Sequence, residues 1–261
     1  MAPYKSHGFI GQEIVTWIKT SKKTHKELFV AAEKLNADCY RSLSAVTIDP
    51  SSLRQTLISC LLARCIELFQ ATYILIAHGM SSPASIMLRS LMETTFILCA
   101  TAKDDDALNA YIINGERERL RITNKILANG DKTFSKIPVA VLQDIKKELD
   151  EKMKKQKVKK FSTEDFARKA NLHSWYSTAY VKTSWAVHAT IGDVEQYLVL
   201  DKRENIKKIK FVPTDKDTSA VLSAACNAMI ISLGESLVVF GADTAIAHKH
   251  SVELERLMTQ V

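Results

Sequence analysis

The chain has 261 residues, of which 46% are hydrophobic and 25% charged, and its formal net charge is +7. Its eight glycines and five prolines are too few for a protein of many short strands and tight turns, so the composition favours helices. The five cysteines form no CxxC pair and no cluster with histidines, which excludes the common zinc motifs. We expect all five to be reduced thiols in a helical core.

Two long apolar segments, 57–77 and 221–240, approach the length of a membrane-spanning helix. Arg64 and Glu67 lie inside the first segment, and Glu235 lies inside the second. Because a charge in the middle of a bilayer is costly, we expect both segments to be buried core helices. The first thirteen residues lack the apolar stretch of a signal peptide. These features predict a soluble, cytoplasmic protein with no membrane partner.

Helix signals follow one another through the first half of the chain. Apolar residues at helical spacing predict four helices, over 24–46, 51–79, 82–102 and 104–128. Asp49 and Ser52 bound a break before the second helix, and Pro83 suits the first turn of the third. Asp104 begins a run of three aspartates that suits the positive end of the fourth helix.

The second half of the chain continues the helical pattern, with one exception. Further helices are predicted from Pro138, from the capping box of Ser162 and Asp165, and over 173–191, 217–240 and 243–258. Residues 196–212 contain two short β-prone runs around a charged turn, which predicts a small hairpin or an irregular loop. The fold class is therefore all-α, a single multi-helix bundle of eight or nine helices in one domain over 1–261. Glycine-rich phosphate loops are absent, which excludes P-loop NTPases and dinucleotide folds, and we expect no cofactor.

One polar stripe interrupts the third predicted helix, which is otherwise apolar almost all the way round and therefore buried. Its members fall four residues apart at Ser85, Arg89 and Glu93. Because buried charges must be paired, we expect Arg89 and Glu93 to pair with each other and with groups across the bundle.

A second polar stripe lies on the helix predicted over 173–191. Hydrogen-bonding groups recur there every four residues, at Tyr176, Tyr180, Ser184 and His188. We expect this stripe to face the first one. The combined arrangement has two interpretations. It is a buried network that fixes helix register, or it is a pocket in which His188 acts as acid or base and Arg89 stabilises an anion.

A basic stretch covers residues 146–160, where eight lysines stand against three acidic residues. Such a patch attracts polyanions through phosphate contacts, and the alternative is a solvated helix end. If it binds nucleic acid, the residues expected to do so are Lys154, Lys155, Lys157, Lys159 and Lys160. No aromatic residue inside the run is available to stack on bases.

Two segments carry a resemblance to a known family. They are LRSLMETTFILCA, followed by YIINGERERLRITNKIL, and FARKANLHSWYSTAYVKTSWAVHATIGD. Together they resemble an uncharacterised, largely prokaryotic all-helical family, domain of unknown function 5677. Its members carry an Arg…Glu motif, matched by Arg89 and Glu93, and a later Tyr…Ser…His motif, matched by Tyr180, Ser184 and His188. The resemblance covers about residues 55–195, and the helices over 217–258 are expected to pack on that core.

A looser likeness is to the helical HEPN (higher eukaryotes and prokaryotes nucleotide-binding) superfamily. Many of its members are metal-independent ribonucleases of toxin and antiphage systems that work as dimers with an Arg-x4–6-His motif. In this chain the basic residue upstream of His188 is Lys182 rather than arginine. Any arginine beside His188 would have to be Arg89, from another helix.

The resemblance implies a first hypothesis, a metal-independent ribonuclease or nucleotide-binding effector in phage defence or a toxin–antitoxin system. His188 would act as general acid or base, Arg89 would steady the phosphate, and Glu93 would orient one of them. Tyr180 and Ser184 would provide hydrogen-bonding support, and the lysine run would collect RNA. The second hypothesis is a non-enzymatic scaffold or accessory subunit that forms a homo-oligomer or binds a partner protein through its long apolar helices.

Overall fold

The computed structural model describes residues 7–129, 138–155, 159–188 and 190–259, and nearly all of its regular structure is helical. The helices are α1 (Ile14–Thr24), α2 (Lys26–Ala45), α3 (Leu53–Ala77), α4 (Ser81–Lys103), α5 (Asp105–Asn129), α6 (Val139–Lys155), α7 (Thr163–Lys169), α8 (His173–Trp175), α9 (Val181–Val187), α10 (Ile191–Val194), α11 (Thr218–Val239) and α12 (Ala245–Met258). Strands β1 (Leu198–Leu200) and β2 (Ile206–Ile209) form one antiparallel hairpin. The predicted all-α class with a small hairpin near 196–212 is confirmed.

The core is built around α3, α4 and α11, each of which packs against the other two. Side chains such as Phe69, Phe96 and Met229 are almost completely buried there. Some polar groups between these helices are paired across the core, as where the Thr95 and Ser232 hydroxyl oxygens lie 3.0 Å apart. This pairing follows from the cost of burying a hydroxyl without a hydrogen bond.

Two core helices, α3 and α11, are long and apolar enough to cross a membrane by length and composition alone. In the most apolar window of each, half of the α3 residues and two thirds of the α11 residues are buried inside the protein. The core helix of a bundle meets the same criterion, so their length and apolar composition are weak evidence for a membrane span.

The segment predicted as one helix over 173–191 is divided. It comprises α8, a π-helical turn (Tyr176–Tyr180) and α9, which ends at Val187. A π-turn widens the helix by one residue per turn, so side-chain directions shift relative to a regular helix. The short helix α1, at the N-terminal side, was not predicted from its polar-rich sequence. The capping box of Ser162 and Asp165 at the start of α7 is confirmed.

The cysteines do not all lie in the core. Four are buried, at Cys39, Cys65, Cys99 and Cys226, whereas Cys60 is exposed on the outward face of α3. The expectation that all five are core thiols is therefore wrong for Cys60, because α3 is apolar on positions that face solvent as well as on those that face the bundle. Burial raises the pKa of Cys65 to about 11 and that of Cys226 to about 12, so these thiols are poor nucleophiles at neutral pH.

Candidate functional site

Arg89, in the middle of α4, joins the two polar stripes that the sequence predicted. Its Nη1 donates to the backbone carbonyl of Tyr180 at 2.9 Å and to the hydroxyl of Ser184. Its Nη2 donates to the Tyr180 hydroxyl at 2.8 Å. The guanidinium also lies over the Tyr180 ring, with the Cζ atom 3.8 Å from the ring centroid. Arg89 thus holds the helical turn over 180–184 against α4.

Glu93, one turn along α4, completes the network through hydroxyl groups. The Tyr180 hydroxyl donates to Glu93 Oε1 at 3.1 Å, and the Thr163 hydroxyl from α7 donates to the same oxygen at 2.8 Å. Among the ion pairs of the described residues, none joins Arg89 to Glu93 directly. The expected pairing within α4 is therefore wrong. The phenol of Tyr180 bridges the two side chains instead, and an arginine four residues before a glutamate is the less favourable order for a direct pair.

The phenol of Tyr180 remains protonated in this environment. Only 5% of the residue is exposed, and burial, followed by the nearby Glu93 carboxylate, raises the pKa of Tyr180 to about 12. A neutral phenol can accept from Arg89 and donate to Glu93 at the same time. The network therefore needs no direct contact between the two charged side chains.

A stack of planar groups extends from Tyr180 away from Arg89. The Tyr176 ring lies 5.1 Å from that of Tyr180, and the His173 ring lies 6.0 Å from that of Tyr176, both nearly parallel. His173 Nε2 in turn lies 3.1 Å from Glu164 Oε1. Tyr176 was expected to be a hydrogen-bonding member of the stripe, and in the structure it is a stacking residue.

His188 lies at the C-terminal end of α9 and is exposed to solvent. Its backbone N–H donates to the Ser184 carbonyl at 3.2 Å, which places it one helical turn beyond the residue that Arg89 binds. Within the described chain, its imidazole forms no hydrogen bond. The members of this stripe that contact Arg89 are Tyr180 and Ser184, and His188 follows them at the exposed end of α9. Ser85 is not part of the network, because its hydroxyl donates to the Ser81 carbonyl.

Sequence reasoning missed Thr163 and His173, which belong to this network. Thr163 comes from α7, seventy residues after Glu93, and no local pattern connects the two. His173 had a visible signal, because its spacing to Tyr176 and Tyr180 places three planar side chains on one helix face.

The predicted lysine patch is only partly described. Lys154 is exposed on α6, and Lys159 and Lys160 are exposed just before α7. The side chain of Lys155 and the whole of Lys157 lie outside the described residues. Lys159 Nζ lies 3.9 Å from Asp165 Oδ1, a long contact that leaves most of its charge available.

Acidic side chains neutralise the first part of the lysine-rich segment. Lys146 pairs with Asp150, and Lys152 lies 2.9 Å from Glu148 and 3.5 Å from Glu116. The positive surface is therefore concentrated at the C-terminal end of α6 and before α7. Over the described ranges, no group of three or more histidine, cysteine, aspartate and glutamate side chains could hold a metal ion.

The sequence matches the model of a family of unknown function, DUF5677, over residues 55–206, which is more than half of the chain. The chain belongs to this family. The resemblance that the Arg89 and His188 motifs predicted is therefore confirmed. The matched region of this DUF5677 protein includes the whole Arg89 network and stops before α11. No curated protein and no solved structure matches the chain. The looser likeness to HEPN proteins stays a prediction.

Proposed function

We propose that this DUF5677 protein is a metal-independent ribonuclease of the HEPN-like type, acting in phage defence or a toxin–antitoxin system. His188 is the acid–base group, and Arg89 is a positioning residue. One observation carries the proposal. Arg89 fixes the turn over 180–184 with three hydrogen bonds, and the next turn presents a solvent-exposed imidazole.

The proposed chemistry uses the 2′-hydroxyl of RNA as the nucleophile. The neutral imidazole of His188 takes the 2′-hydroxyl proton, the 2′-oxygen bonds to phosphorus, and the bond from phosphorus to the 5′-oxygen breaks. The leaving 5′-oxygen takes up a proton, which the imidazolium can supply. The products are a 2′,3′-cyclic phosphate and a free 5′-hydroxyl. An imidazole suits both steps because it gains and loses its proton near neutral pH.

In this proposal Arg89 orients α9, whereas the sequence suggested that it binds the phosphate. Three of its five N–H groups already donate to Tyr180 and Ser184. Such a guanidinium supports the orientation of α9, and Glu93 fixes it through the Tyr180 hydroxyl. We assign attraction of the RNA to exposed lysines, including Lys154 and Lys160, whose contribution should fall as salt rises.

A cleavage assay with a matched histidine control tests the proposal. Wild type, His188→Ala and His248→Ala are incubated with single-stranded RNA in EDTA; His248 is an exposed histidine on α12. We expect cleavage by wild type and by His248→Ala, and at least about a hundredfold slower cleavage by His188→Ala. All three should melt at the same temperature. Intact RNA with the wild type, or undiminished cleavage by His188→Ala, overturns the proposal.

A second candidate function, binding of a partner protein or a second copy, is favoured by one observation. Several large apolar side chains are exposed around α9, α10 and the hairpin, among them Trp185, Ile191, Ile209 and Phe211. The sequence suggested the long apolar helices, now α3 and α11, for this role. They are less suitable, because α11 is a core helix. Sedimentation of wild type and Trp185→Ser separates the cases: a wild-type dimer that the substitution dissociates supports this function, and a wild-type monomer contradicts self-association.

A further inference from the structure

A cavity of about 180 Å³ lies where α4 and α11 begin, away from the Arg89 network. It is bounded by a short 3-10 turn (Gly8–Ile10), by the turn between α3 and α4, and by the segment that follows β2. Its lining includes three aromatic side chains, two lysines and three serines or threonines, among them Phe9, Tyr197, Phe211, Lys210, Lys216 and Ser81.

Two long helices start at this cavity without a side-chain cap. The residues before α4 and α11 are Met80 and Asp217, both of which line the cavity, and neither makes a capping hydrogen bond to its helix. The first N–H groups of a helix have no partner within the helix, and its N-terminal end carries a partial positive charge. Two such ends beside one cavity favour an anion there.

The first residue of each helix adds a buried hydroxyl without a partner. Ser81 is 4% exposed and Thr218 is fully buried, and within the described residues neither hydroxyl has a hydrogen-bond partner. Buried hydroxyls in native proteins are almost always paired, so these two are exceptional. The indole Nε1 of Trp17 is also unpartnered, and it lies 2.7 Å from where a Cβ on Gly79, a lining residue, would stand.

These unpaired groups are concentrated at one end of the protein. Eight buried side-chain polar atoms lack a partner in the part of the chain that the structure describes. Seven of them lie on or beside α1 and in the first two turns of α4 and α11, and the eighth is on Glu116 in α5. Most of the seven are donors. Among them, the Ser81 hydroxyl lines the cavity, and an oxygen of a phosphate bound there would supply it with an acceptor.

The remaining lining indicates what else the ligand carries. Lys210 and Lys216 supply two positive charges against one carboxylate, that of Asp217. Phe211 is largely exposed, with Phe9 edge-on to it at 5.4 Å and Tyr197 at 6.4 Å between ring centroids. Exposed rings beside a cavity offer faces on which a planar ligand group can stack.

We propose that this cavity binds a small phosphate ester with a planar ring, such as a nucleoside monophosphate. Its phosphate lies at the starts of α4 and α11, where it accepts from Ser81, and its ring lies against Tyr197 and Phe211. Ser82, which also lines the cavity, is not assigned to the ligand because its hydroxyl donates to Asp193 Oδ2 at 3.1 Å. The proposal does not depend on the ribonuclease activity of His188.

Calorimetric titration of the full chain tests the proposal with AMP, ribose 5-phosphate and adenosine as probes. The variants are Lys216→Glu and the double variant Ser81→Ala/Thr218→Ala. The matched control is Lys202→Glu, an exposed lysine of the hairpin turn that does not line the cavity. Melting without ligand is measured for each protein, so that a folding defect is distinguished from lost binding.

We expect saturable binding of AMP that is tighter than that of ribose 5-phosphate and adenosine, because only AMP engages both parts of the cavity. Lys216→Glu and the double alanine variant should each weaken AMP binding about tenfold or more, with Lys202→Glu unchanged. Absence of AMP binding overturns the proposal. So does AMP binding that both variants leave intact, or ribose 5-phosphate binding as tight as that of AMP, since the rings would then contribute nothing.

Discussion

The middle of α4 and its N-terminal end differ in whether their polar side chains have hydrogen-bond partners. In the middle, Arg89 and Glu93 each have several partners, supplied by Tyr180, Ser184 and Thr163. At the N-terminal end, Ser81 is more deeply buried than either Arg89 or Glu93, and its hydroxyl has no partner among the described residues. A satisfied network sets the position of the elements around it, whereas unsatisfied donors indicate where something else binds. Substitutions should therefore affect stability in the first region and ligand binding in the second.

The largest effect on stability is expected for Arg89→Ala. It removes three hydrogen bonds and a cation–π contact, and it leaves the carbonyl and the hydroxyl of Tyr180 with fewer partners. We expect the free energy of unfolding in urea to fall by about 2–4 kcal/mol. The matched control is Arg64→Ala, which breaks an exposed contact with Glu67 of 3.3 Å and should cost less than about 1 kcal/mol. Equal losses in the two variants would mean that the network adds no stability.

Tyr180→Phe should have a smaller effect than Arg89→Ala. It keeps the ring under the guanidinium but removes the hydroxyl that accepts from Arg89 and donates to Glu93. We expect a loss of about 1–2 kcal/mol in urea unfolding, since two hydrogen bonds to charged groups disappear. A change near zero would show that the hydroxyl bridge is not stabilising.

Alkaline pH should weaken the same region through Tyr180. Its pKa is raised to about 12 from the ordinary value of 10, first by burial and then by the Glu93 carboxylate. Because folding favours the protonated phenol, this contribution to stability is complete below pH 10 and is lost as the pH rises through about 12. The urea midpoint of wild type should therefore fall over this range more steeply than that of Tyr180→Phe. Parallel curves would contradict the raised pKa.

The smallest effect on stability is expected for the double variant Ser81→Ala/Thr218→Ala without ligand. Because neither hydroxyl has a partner, their removal should leave the free energy of unfolding unchanged or slightly higher, within about 0.5 kcal/mol. The comparison with Arg89→Ala then separates the two regions. A loss of more than about 1 kcal/mol would show that the hydroxyls have structural partners after all.

The sequence predicted those features that depend on local spacing. Four-residue periodicity was enough to place Arg89 opposite Tyr180 and Ser184, and the apolar surface of α4 predicted its burial. The sequence could not show that the phenol of Tyr180 bridges Arg89 and Glu93, because the bridge depends on how deeply Tyr180 inserts between the helices. The exposure of Cys60 was missed for a similar reason, since an apolar helix does not reveal which side faces solvent.

The cavity at the helix starts was beyond sequence analysis for another reason. Its lining comes from Phe9, from the beginning of α4 and from residues 196–217, and each stretch is unremarkable by itself. Unpaired hydroxyls are also invisible in a sequence, because serine and threonine are usually satisfied by their own helix. Only their three-dimensional surroundings show that Ser81 and Thr218 lack partners.

The central functional claim is that His188 promotes cleavage of RNA by the 2′-hydroxyl of the RNA itself. The most direct measurement is mass spectrometry of the RNA ends after incubation with wild type and His188→Ala in EDTA. The account predicts 2′,3′-cyclic phosphate and 5′-hydroxyl ends with wild type and uncut RNA with His188→Ala. Uncut RNA with wild type, or the same cyclic ends in equal amount with His188→Ala, would contradict it.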